Sequence, residues 1–154
     1  MTPRDTFNTF VRPAAADCQT DPGAPHRAVS ALCHIDALAE EVWHVTNKPE
    51  GSVRRYRSSL QQKCVELGYA WDVHDIHKHG LLSRASTLPN DKRPQVVRIG
   101  QVFQSNVFQN DVFQMGKPDM VLRLRDGTAV RALDVIQKCI QWWDAELLRL
   151  GWPG

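Results

Sequence analysis

Residues 72–79, Asp-Val-His-Asp-Ile-His-Lys-His, gather side chains that could exchange protons or hold an ion. Imidazoles and carboxylates within hydrogen-bond reach of one another move protons near neutral pH. On a helix, Asp72, Asp75 and His79 fall along one face at steps of three and four, while His74 shares another with Trp71, His77 and Lys78. The catalytic expectation is that Asp75 or Asp72 accepts a hydrogen bond from His79, fixing its tautomer and raising its basicity. The bland alternative is an i,i+4 pair at a helix end, where His and Lys also suit the dipole. A metal would use His74, His77 and His79, with His44 or a first-helix carboxylate. That spacing lacks the i,i+4 histidine pair of H-E-x-x-H, so no metal or other cofactor is expected.

Other chemistries find less to work with. The chain has no G-x-S-x-G elbow, no cysteine in an evidently electropositive setting and no Walker or Rossmann phosphate loop. Arg54, Arg55 and Arg57, interleaved with Tyr56, could hold phosphates if they converge with Arg84, Lys92, Arg93 and Arg98; otherwise they form a solvated face, so nucleic acid stays open as a partner. The triplet Val-Phe-Gln recurs at a period of five, placing Phe103, Phe108 and Phe113 where they either fill a core or anchor a protein partner.

The elements that must carry these residues follow from hydrophobic period. Ala28, Leu32, Ile35, Ala39 and Val42 predict a helix over 26–46, with Asp36, Glu40 and Glu41 on its exposed side and a turn at Asn47–Gly51. Ser52 is a fitting N-cap for a second helix over 52–80, with Leu60, Cys64, Leu67, Trp71 and His74 as its stripe and Gly68 as a weak point. A polar stretch over 83–95 reads as a loop. Strand-like runs over 119–125 and 128–133, joined by Asp126-Gly127, predict a hairpin. Asp134 then caps a last helix with Ile136, Cys139, Trp143, Leu147 and Leu150 on one face. Pro3, Pro13, Pro22 and Pro25 predict an irregular arm over 1–25 whose Phe7, Phe10 and Val11 pack on the domain. The whole is an α+β fold: one domain over 26–154, a helical core of about three helices with a C-terminal β-hairpin or small antiparallel sheet.

Bulk properties agree with one self-sufficient domain. With 154 residues, 42% hydrophobic, the chain can bury a core without staples. A net charge of +2 is too small to attract polyanions generally. Cys18, Cys33, Cys64 and Cys139 are scattered, reading as reduced core thiols. No signal peptide or membrane-length apolar run is evident, so a cytoplasmic location is expected.

The Asp72, Asp75, Lys78, His79 stretch and the tryptophan-rich last helix resemble small uncharacterised bacterial proteins of mobile-element type, a likeness that covers most of the chain and implies a fold and a bacterial origin but no activity. Arg27-x6-His34 is similar to the Arg/His spacing of HEPN domains, helical ribonucleases of bacterial defence systems that act as dimers; Ala28 stands where that family usually has a polar residue. That likeness implies metal-independent RNA cleavage using His34 or His79. The leading expectation is a protein-interaction module in a defence or counter-defence setting, with Phe103, Phe108, Phe113, Arg54 and Arg57 as contacts; a homodimer is one arrangement its aromatics allow.

Overall fold

A computed structural model describes residues 1–79, 94–99, 119–124 and 128–154, strand 94–99 by its backbone alone. Among the described residues the chain is mostly helical with a small antiparallel sheet, and five longer helices stand where about three were expected. In order these are α1 (Pro3–Thr6), a π turn (Phe7–Val11), α2 (Arg12–Thr20), α3 (Pro25–Val45), α4 (Val53–Lys63), α5 (Val65–His79), β1 (Pro94–Ile99), β2 (Asp119–Leu124), β3 (Ala129–Arg131) and α6 (Ala132–Arg149).

The expected irregular arm is a helix, and its prolines show how. Thr2 caps α1 in a reciprocal capping box with Asp5, and Pro3 occupies the first turn, where a missing N–H costs nothing. Pro13 deprives the Thr9 carbonyl of its i+4 donor; the π turn absorbs this defect, its Arg12 N–H reaching back to Phe7 O. Phe7 and Val11 are thereby fully buried, whereas Phe10 is 44% exposed.

Arg4 clamps this segment to the far end of the chain. Only 6% exposed, it donates to the Asp144 carboxylate, to Asp144 O at 3.0 Å and to Trp152 O at 3.0 Å. Arg12 also reaches Asp144 at 3.0 Å, and both guanidinium groups lie over the Phe7 ring.

Helix α3 is the axis, packed against α2, α5 and α6. Its expected stripe is buried, and so is Asp36, 4% exposed, which the period had placed on the outer side. Left-handed Asn47, Lys48 and Glu50 with Gly51 make the turn after it, tied by Trp43 Nε1 to Pro49 O at 2.8 Å. Ser52 caps α4 as expected, accepting from Arg55 N–H at 3.3 Å. The expected second helix is two helices, broken at Cys64 (φ −146°, ψ 104°) rather than at Gly68.

The described sheet has the order β1-β2-β3, with Pro94 opposite Leu124, Ile99 opposite Asp119, and Val121 opposite Arg131. Strand β2 is covered on both faces, since Met120, Val121, Leu122 and Leu124 are all buried. The pairing of the expected hairpin is present; its Asp126-Gly127 turn lies outside the described residues, as do the expected loop up to residue 93 and Phe103, Phe108 and Phe113. Helix α6 begins two residues before Asp134 and buries Ile136, Cys139, Trp143 and Leu147.

Two predictions follow from this packing. Phe7→Ala should cost about 3–5 kcal/mol in denaturant unfolding, while Phe10→Ala should cost well under that; equal effects would contradict a packed N-terminal helix. The Arg4 hydrogen bond, then the nearby Arg12 charge, lowers the Asp144 carboxyl below its ordinary 3.8. A lowered folded value contributes stability above the unfolded value that is lost as pH falls through the folded one. Stability lost in Asp144→Asn should therefore be full at neutral pH and vanish in strong acid, as urea midpoints across pH would show.

Candidate functional site

The buried Asp36 carboxylate holds three helices together. Arg57 of α4 forks onto it, Nε to Oδ1 at 2.9 Å and Nη2 to Oδ2 at 2.9 Å, and His74 Nδ1 of α5 lies 2.8 Å from Oδ2. Their side chains are 3% (Asp36), 12% (Arg57) and 29% (His74) exposed, so exposure grades outward to the imidazole. Arg57 also contacts Glu40 Oε2 at 3.3 Å and lies over the Trp71 ring, 5.7 Å from its centroid. Its guanidinium is engaged in the interior, whereas Arg54 is exposed.

Asp36 fixes the chemistry of His74. A carboxylate only accepts, so Nδ1 carries the hydrogen, and in the neutral ring Nε2 is left with its lone pair. His74 lines a groove of about 600 Å³ between α3 and α5 together with His26, His34, His77 and Cys33. Four imidazoles from two helices therefore share one opening. Burial, then the Asp36 charge, pushes the Cys33 thiol up to about 11, so it stays protonated beside them.

The remaining expected residues are divided by burial. His34 borders the groove and stacks on Phe10, ring centroids 6.0 Å apart. Asp72 is buried, 1% exposed, whereas His79 stands exposed on the last turn of α5, away from the groove lining. The carboxylate seen to orient an imidazole is Asp36, and the imidazole it orients is His74. Among the described residues no three His, Cys, Asp or Glu side chains form a metal-binding group, so His74, His77 and His79 are not gathered as ligands. Arg27 is held by the end of α2, donating to Thr20 Oγ1 at 2.7 Å and Asp17 O at 3.3 Å. No helix among the described residues is long and apolar enough to cross a membrane.

Sequence reasoning missed Asp36, His26 and Cys33. A signal for Asp36 existed: it stands four residues after Leu32 and three before Ala39, inside the apolar stripe, and a carboxylate there requires a cationic partner. No protein-family model, curated protein or solved structure matches the chain.

Removing one member of the buried cluster should cost more than removing its charges together. Arg57→Ala should destabilise by about 3–5 kcal/mol because Asp36 is left buried without its cation. The pair Asp36→Leu with Arg57→Met should recover much of that loss, measured as a double-mutant cycle in urea; additive losses would show the cluster is not energetically coupled.

Proposed function

We propose that the groove between α3 and α5 is a general acid–base site that cleaves RNA without a metal. The observation that carries this is His74, held in one tautomer by the Arg57-clamped Asp36, opening with three further imidazoles onto one groove. Imidazoles change protonation within the physiological range, so one can take a proton while another gives one.

RNA is the substrate class that best suits this set, because its own 2′-hydroxyl is the nucleophile and the protein need supply only proton transfer and positive charge. His74 Nε2 removes the 2′-hydroxyl proton. The 2′-oxygen attacks the adjacent phosphorus, the bond to the 5′-oxygen breaks, and a protonated imidazole, His34 or His77, gives that oxygen its proton. The products are a 2′,3′-cyclic phosphate and a 5′-hydroxyl. Protonated imidazoles also offset the charge that builds on the phosphate. Relative to the HEPN likeness, this reading keeps the substrate class and His34 and replaces Arg27 by the Asp36–His74 pair as the organising element.

A labelled single-stranded RNA should be cut in EDTA, leaving cyclic-phosphate ends, while DNA of the same sequence stays intact because it lacks the nucleophile. His74→Ala, purified identically and checked for fold by circular dichroism, should lose about 10²-fold or more in rate, and wild type should show a bell-shaped pH–rate profile. Intact RNA at high protein concentration, or equal cleavage by His74→Ala, rules the proposal out.

A further inference from the structure

An exposed aromatic ring closes the row of side chains that α3 turns toward the groove. His26, Ser30 and His34 follow one another along α3 at steps of four, and all three border the groove. The Phe10 ring lies against His34, with centroids 6.0 Å apart and planes only 20° from parallel. Phe10 comes from the π turn, whose wider winding keeps Phe7 and Val11 in the core and leaves Phe10 44% exposed.

A lone exposed aromatic needs no explanation. This one is half of a shelf of two nearly parallel rings, and the other half borders the groove. The charges around the shelf give it a direction. Among the described residues no carboxylate lines the groove. Glu41 follows His34 two helical turns further along the same side of α3, where its Oε1 accepts from Thr6 Oγ1 at 3.0 Å. An anionic strand that meets the shelf is therefore turned away from Glu41 and toward His26.

We propose that Phe10 is a nucleobase-stacking residue, seating one base of a single-stranded RNA on the Phe10–His34 shelf while the backbone follows the row of side chains toward His26. This rests on the acid–base reading of the groove and adds what that reading lacks, a contact to the bases. Every base has a π face, so such a shelf accepts any of the four, whereas a base paired and stacked in a duplex offers it no free face. The shelf thus selects single strands over duplexes. Because Phe10 rests on His34, the seated base belongs to a nucleotide beside the cut, and stacking holds its phosphate within reach of the imidazoles.

A 2′-O-methyl RNA octamer separates this contact from the chemistry, since it carries bases and phosphates but no 2′-hydroxyl. In fluorescence anisotropy, wild type should bind the end-labelled octamer more tightly than its duplex and more tightly than an abasic strand of the same length. Phe10→Ala should weaken binding of the octamer about 5- to 100-fold and leave binding of the abasic strand unchanged. Phe10→Trp should retain tight binding, whereas Phe10→Leu, apolar but without a ring, should not. Equal binding by wild type and Phe10→Ala, equal binding of the octamer and the abasic strand, or no binding of the octamer by wild type overturns the assignment. Phe10-dependent binding without RNA cleavage upholds the shelf and strikes only the acid–base reading; RNA cleavage whose kcat/KM is the same in Phe10→Ala does the reverse.

Discussion

A carboxylate buried on the central helix sets the terms for its neighbours. Removing Asp36 from water is tolerable only if cationic and hydrogen-bonding partners meet both oxygens, and those partners come from two other helices, Arg57 on α4 and His74 on α5. Apolar contacts between helices tolerate small slides; a two-pronged guanidinium on a carboxylate does not. The cluster therefore fixes the register of α3, α4 and α5 together. The same bond that helps solvate Asp36 decides which His74 nitrogen is available to the groove, so structural and chemical roles reside in one contact.

A second polar lock works at the chain ends. Arg4 and Arg12 meet Asp144, and Arg4 also takes the Trp152 carbonyl, so the N-terminal helix and the close of α6 are tied over the buried Phe7. Asp144 is half-exposed, so most of the holding free energy comes from Phe7 and Val11 beneath it, with the ion pairs fixing direction. The N-terminal segment also brings Phe10 beside His34, placing an exposed ring at the margin of the groove.

Local signals carried much of the fold. The α3 stripe, the Ser52 cap, the pairing of the C-terminal strands and the inner face of α6 were all readable because each depends on residues within a few positions of one another. What failed was non-local or compensated. Pro13 reads as a breaker unless one knows that a π turn absorbs it, and the break between α4 and α5 falls at Cys64, which has no breaker chemistry, rather than at Gly68. The site failed for the first reason: the imidazole-rich stretch pointed to α5, but His74's partner lies 38 residues away, at a position expected on the exposed side although its spacing falls within the apolar stripe. Residue types identified the helix; only packing identified the pair.

Helix α5 carries unlike chemistry at its two ends, and its dipole suits both. Cys64 stands just before the N-terminus, its carbonyl accepting from the Leu67 N–H and its thiol lying 3.3 Å from Glu66 Oε2. His77, Lys78 and His79 occupy the last turn, where partial negative charge favours cations, with His74 one turn earlier and held by Asp36. Placed at the opposite end of α5, the Lys78 cation would face the positive pole of the helix. The break at Cys64 also redirects the backbone: its extended carbonyl takes the Leu67 N–H, which a continuous helix over 52–80 would direct to Lys63.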